Sequence, residues 1–183
     1  MKKLCGMIVA AAFVFSGLAA QAQKDPDVGG AQMFATKNIV ENAVNSNDHT
    51  TLVAAVKAAG LVGTLESPGP FTVFAPTNEA FNKLPAGTVD MLLKPENKDQ
   101  LTKVLTYHVV AGRLTTKDLK RQIRMGGGKA MLKTVSGGML TATLSDGRIV
   151  LTDEKGGMAT IATADVIQSN GVIQVVDSVL LPD

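Results

Sequence analysis

Residues 71–81, reading FTVFAPTNEAF, constrain this chain more than any other stretch, because a buried-strand pattern runs into a helix start with no residue to spare. Phe71, Val73 and Ala75 alternate with Thr72 and Phe74, so one face is wholly apolar and the other at least partly buried, as β-branched and aromatic content favours. Pro76 has no N–H to donate, and the ladder must stop there. Thr77 is a good N-cap, with Asn78 and Glu79 suited to the positive end of the helix that follows. Ala80 and Phe81 then turn inward. A core strand feeding a capped helix requires other strands to pair with, and these must come from the rest of the chain.

A length of 183 residues suits one domain with a sizeable core. The first residues reduce that length. Lys2 and Lys3 precede an apolar run from Leu4 to Ala20, and Ala20-Gln21-Ala22 has the small-x-small form of a signal-peptidase site. Residues 1–22 therefore read as a secretory signal peptide, cleaved in preference to being kept as a membrane anchor. Cys5 lies ahead of the apolar run, which argues against a lipoprotein. It is also the only cysteine, so the mature chain has neither a disulfide framework nor thiol chemistry. With the two signal lysines removed, 16 basic residues face 16 acidic ones, which gives no support to a nucleic-acid groove. The product is expected in the periplasm or outside the cell.

Residues 23–37, with Pro26, Gly29 and Gly30, read as a flexible lead-in. Asn38 and Glu41 have capping-box spacing ahead of a short helix, and Leu52, Val53, Val56 and Ala59 predict a second helix closed by Gly60. Thr88 is placed to cap a turn carrying Val89, Leu92 and Leu93. The segment 98–106 predicts an amphipathic helix, since Leu101, Val104 and Leu105 share a face. It leads into Tyr107-His108-Val109-Val110, read as a short strand, and Thr115 to Leu119 reads as a brief capped turn.

From Ala130 the texture is β. Runs at 131–135, 139–144, 149–152, 159–162 and 166–168 are separated by hairpin signals, of which Asn170-Gly171 is the strongest. Residues 172–181 read as a last strand dense enough in apolar residues to be buried on both faces. Helices in the first half and strands in the second predict an α+β domain over residues 38–182.

Titratable groups are sparse. His49 lies in a polar interhelix segment and is expected to face solvent; neither it nor His108 has metal-ligand spacing, so no metal site and no cofactor are expected. No Gly-x-Ser-x-Gly elbow is present. Residues 125–129 read Met-Gly-Gly-Gly-Lys, which fails the phosphate-loop spacing and is expected to be a flexible loop beside the basic residues Arg121, Arg124, Lys129 and Lys133. Asp146-Gly147-Arg148 reverses the integrin-binding order and reads as a hairpin turn. Tyr107 and His108 form the one ambiguous pair, because a buried imidazole needs both ring nitrogens satisfied. Asp177, in an otherwise apolar run, raises the same question for a buried charge.

Three blocks in order, FTVFAPTNEAFNKLP, LTKVLTYHVVAGRL and ADVIQSNGVIQVVDSVLLP, together resemble the fasciclin domain, an extracellular adhesion module. The resemblance implies a wedge-shaped β-sandwich flanked by several α-helices, and a non-enzymatic role in adhesion. It implies binding through Tyr107 and His108, the family's Tyr-His pair, and through Val176, Asp177 and Val179 of the last block. Gln174 stands where the family usually has histidine, so a pH-sensitive histidine pair is not available here.

The expected function is a secreted attachment module for a protein or matrix component of the envelope or extracellular space. Nucleic acid is not an expected partner. The alternative is a periplasmic carrier or sensor that binds an apolar small molecule between sheet and helices, which a pocket lined by Met125, Met131, Met139 or Met158 would favour.

Overall fold

The computed structural model describes residues 25–183, so the signal peptide expected at 1–22 lies outside the described residues. Residues 27–32, expected to belong to a flexible lead-in, form a small ladder instead. Strands β1 (Asp27–Val28) and β2 (Ala31–Gln32) pair antiparallel, and Val28 and Met33 are buried in the core. Burial of those two side chains supplies the ordering that composition did not indicate.

Helix α1 (Ile39–Ala43) opens with both halves of the Asn38–Glu41 capping box. Helix α2 (Thr50–Ala59) ends at Gly60 with φ +74°, the left-handed conformation that glycine adopts without a Cβ penalty. A short α3 (Val62–Glu66) leads into β3 (Phe71–Pro76), and Thr77 caps α4 (Asn78–Asn82) by accepting the Ala80 N–H. Helix α5 (Thr88–Leu92) starts from Gly87, so Thr88 is its first residue and not its cap. Helix α6 (Lys98–Tyr107) runs one residue further than its sequence pattern, which places Tyr107 in the helix and His108 at its C-cap; β4 is only Val109–Ala111.

The brief turn expected after Thr115 is a full helix, α7 (Thr116–Met125), with a Thr115–Asp118 capping box. Only Leu119 and Ile123 of α7 are buried, one turn apart, which is why its apolar signal was thin. Its glycines are not a flexible loop: the Gly126 and Gly128 N–H groups donate to Gln122 and Ile123 carbonyls and finish the helix. Strands β5 (Lys129–Lys133), β6 (Met139–Ser145), β7 (Arg148–Thr152), β8 (Met158–Gln168) and β9 (Gly171–Val176) complete the chain. The runs at 159–162 and 166–168 belong to one strand, because two register shifts in β8 hide its continuity.

Seven strands lie in the order β4-β3-β9-β8-β7-β6-β5, with β3 and β9 parallel and all other neighbours antiparallel. The irregular β8 lets the sheet bend back on itself: Val110 bridges Thr134, and the Val135 N–H donates to the Val109 carbonyl. This bend makes two cores from one sheet. Val73, Ala75, Ile173 and Val175 face α1, α2 and α6 in the first; Phe74, Val110 and Val176 face α7 and β5–β7 in the second. Each fully buried large side chain contributes on the order of 2 kcal/mol. The fold is therefore α+β, as the sequence indicated.

Candidate functional site

The family-block residues converge where the chain leaves β9. Three of the five do not reach solvent. Tyr107 is 0% exposed, and Val176 and His108 are buried with it, so the attachment edge expected at Tyr107-His108 is not on the surface. The reason is the extra residue of α6, which turns the Tyr107 ring into the second core. Its hydroxyl donates to the Met139 carbonyl at 2.8 Å and accepts the Glu154 N–H at 3.2 Å. Burial pushes the phenol up to about 12, against the Glu154 N–H, which favours the phenolate.

His108 has both ring nitrogens satisfied. Nδ1 donates to the Val104 carbonyl at 2.8 Å, and Nε2 accepts the Leu180 N–H at 3.0 Å, which fixes a neutral tautomer. Burial pushes its pKa down to about 4, with the Val104 carbonyl and the Asp153 charge opposing. Asp153 holds the adjacent residue: its Oδ2 accepts the Leu181 N–H at 2.9 Å, while Oδ1 accepts the N–H groups of Lys155 and Gly157. The imidazole and the carboxylate thus clamp two consecutive tail residues.

Asp177 is not the buried charge its surroundings suggested, because β9 ends at Val176 and the tail turns outward. Its Oδ1 accepts the Thr160 N–H at 2.8 Å, and its backbone carbonyl accepts from Lys83 Nζ at 2.6 Å. The carboxylate stays partly exposed opposite Lys83. Val179 is half-buried against the first core. Of the five expected binding residues, Asp177 and Val179 are therefore the two that present surface.

Gln174 is wholly buried and replaces a titratable ring by three hydrogen bonds. Oε1 accepts the Asp165 N–H at 3.0 Å, and Nε2 donates to the Leu114 carbonyl at 3.1 Å and to Asp165 Oδ1 at 2.9 Å. That carboxylate oxygen also accepts the Thr116 N–H at 2.6 Å, so one polar cluster joins β9 and β8 to the start of α7.

Sequence reasoning misplaced His49. It is 3% exposed, with Nδ1 2.9 Å from Ser46 Oγ, and burial lowers its pKa against the nearby Asp48 charge and the Ala75 carbonyl. The available signal was Ser46 three residues ahead, the spacing of a single turn. The methionine pocket does not form either. Met125, Met131 and Met158 are exposed, and Met131 and Met158 end a cross-strand row through Thr141 and Thr152 on the outer sheet face. Among the described residues no group of three or more histidine, cysteine or acidic side chains is placed to hold a metal, and no helix is long and apolar enough to cross a membrane.

The model of the fasciclin domain family matches residues 47–182. Protein sll1483 of Synechocystis is 48% identical over 160 residues, covering 87% of this chain and 82% of that protein. Immunogenic protein MPB70 of Mycobacterium bovis is 37% identical over 145 residues, covering 76% of this chain and 66% of that protein. A solved FAS1 domain pair from the insect cell adhesion molecule Fasciclin I superposes with a TM-score of 0.70 at 20% identity, over 79% of this chain and 51% of that one. The chain spans about half of that pair, and the likeness concerns fold. With the bent seven-stranded sheet, the two cores and the three sequence blocks in register with it, this chain belongs to the fasciclin domain family.

Proposed function

We propose that the protein is a secreted, non-enzymatic attachment module that engages a protein or matrix component in the periplasm or extracellular space. The observation that carries this reading is the family match across 47–182, with a fold neighbour that comes from an insect cell adhesion molecule. Asp177 and Val179, on the exposed side of the tail, make the contact. Tyr107, His108 and Val176 act from beneath, holding the tail in shape. Residues 1–22 direct export and are removed, leaving a lead-in and the domain at 38–182.

The test is a pull-down of envelope and matrix material on mature protein, comparing wild type with an Asp177→Ala/Val179→Ser variant. Circular dichroism and melting establish that the variant is folded. A macromolecule retained by wild type and lost by the folded variant supports the reading. Retention of the same macromolecule by both moves the contact elsewhere, and retention of nothing by wild type removes the attachment function.

A further inference from the structure

Between α1, α2 and α3 on one side and β3 and β9 on the other lies an apolar cavity of about 70 Å³, partly open to solvent. Val56, Leu65, Val73 and Ile173 are among its walls, and exposed Lys57 and Thr64 border it where α2 and α3 meet solvent. For scale, an engineered apolar cavity of roughly 150 Å³ holds a benzene ring, so this one, about half that volume and open on one side, suits a narrow alkyl chain whose far end projects through the opening.

Two histidines border the cavity, and they differ in one respect. His108 has hydrogen bonds at both ring nitrogens, whereas His49 has none at Nε2. The His49 ring is nevertheless buried to 3% exposure, so this nitrogen is shielded from bulk water. Ser46 Oγ sits at Nδ1, and the Ala75 carbonyl approaches the ring without meeting hydrogen-bond geometry. A hydroxyl at Nδ1 and a carbonyl near the ring together favour the tautomer with its proton on Nε2. That N–H is then a buried donor whose one nearby acceptor, the Ala75 carbonyl, stands outside hydrogen-bond geometry, on a ring that borders an apolar space. Buried polar groups are almost always paired, and those that are not call for a missing partner.

We infer that this cavity binds a small apolar molecule carrying one oxygen acceptor, with the oxygen on His49 Nε2 and the carbon chain against Val56, Leu65 and Ile173. The combination is that of small-molecule sites generally: predominantly apolar walls with one polar group that sets orientation. Attachment through the tail does not depend on this site, and the site does not depend on attachment.

The experiment titrates n-hexanol, and separately n-hexane, into purified protein labelled with ¹⁵N at histidine and ¹³C at Val, Leu and Ile methyls. The expected result is a saturable shift of the His49 Nε2 resonance with n-hexanol, accompanied by methyl shifts of Val56, Leu65 and Ile173. With n-hexane the methyls move and Nε2 does not. Folded His49→Leu should bind n-hexane as wild type does and lose roughly fivefold in n-hexanol affinity, the size of one net hydrogen bond. If that variant does not fold, Val56→Phe, which fills the cavity from its wall, should abolish the saturable Nε2 shift. A His49 Nε2 resonance that n-hexanol leaves unmoved, or methyl shifts that never saturate, would overturn the assignment.

Discussion

His108 Nε2 accepts the backbone N–H of Leu180 at 3.0 Å, joining the end of α6 to the chain's last residues across 72 positions of sequence. The bond is available only to a neutral ring, because a protonated imidazole has no acceptor left. Leu180 itself is wholly buried in the second core, so losing the bond frees a segment whose side chain must stay inside. This relationship makes the histidine of the second block a fastening for the last block.

Replacing His108 by Leu leaves the Leu180 N–H and the Val104 carbonyl buried without partners. The expected loss is about 3 kcal/mol, from two unsatisfied groups. Urea unfolding at neutral pH measures it as a lower midpoint with an unchanged slope. A loss under about 0.5 kcal/mol would mean that both groups find other partners.

Acid should weaken the wild-type protein in a defined window. The His108 ring titrates at 6.5 in the unfolded chain and about 4 in the fold, so only the unfolded chain gains a proton between those values. Stability from the neutral ring is fully present above pH 6.5 and is lost as pH falls toward 4, by about 3 kcal/mol. His49, also lowered, adds in the same direction. Asp118, held below its usual value chiefly by the Thr115 hydroxyl, loses its contribution only at still lower pH. Unfolding free energies of wild type and His108→Gln across this window should converge as pH falls; parallel curves would remove His108 as the cause.

Tyr107 offers a clean reporter because the chain has no tryptophan and no other tyrosine. Its phenol should titrate near 12, not near 10, in ultraviolet difference spectra of folded protein. A Cβ on Gly138 would lie 2.7 Å from Tyr107 Cε2. Gly138→Ala should therefore displace the ring, cost about 2 kcal/mol and bring the titration back toward 10. A Gly138→Ala protein with wild-type stability and an unchanged phenol titration would show that the ring is not held there.

Gln174→Leu removes the partner of the Asp165 N–H, one donor to the Asp165 carboxylate and the donor to the Leu114 carbonyl. The expected cost is about 3 kcal/mol or more, with Gln174→His costing less because an imidazole restores one donor and one acceptor. Thermal melts of the two variants rank them. The reverse ranking would point to ring size, and not hydrogen bonding, as the constraint at this position.

A backbone contact sets a further limit. A Cβ on Gly171 would fall 2.1 Å from the Phe71 carbonyl oxygen, inside the parallel β3–β9 ladder. Gly171→Ala is expected to lower stability by about 3 kcal/mol or more and to reduce soluble yield. Wild-type melting of that variant would place β3 and β9 farther apart than the structure does.

Local rules were readable from the chain without its fold. The alternation at 71–75, the Thr77 cap, the Asn38 capping box, the Gly60 terminus and the Asn170-Gly171 turn each depend on neighbours a few residues apart, so their sequence signal is complete. The apolar density of 172–176 likewise indicates burial on both faces, but the strand expected to run to Leu181 stops at Val176, where the tail turns away from the ladder. Where a periodic pattern was sparse, as in α7 with its two buried residues, or interrupted, as in β8, the length of the element was not legible.

The sequence by itself determined the α+β class, the main strands and helices, and the three blocks that mark the family, because those follow from short-range periodicity and turn chemistry. Only the tertiary structure decided which of the marked residues face solvent. Tyr107 and His108 became interior groups because one added helical residue turns a ring inward, and because their partners, Glu154 and Leu180, lie 47 and 72 residues away. His49 was buried by packing of α2 against the β3 side of the sheet, which no polar flanking sequence records. Burial is a property of the whole assembly of elements, and a side chain's chemistry is set by what that assembly places against it.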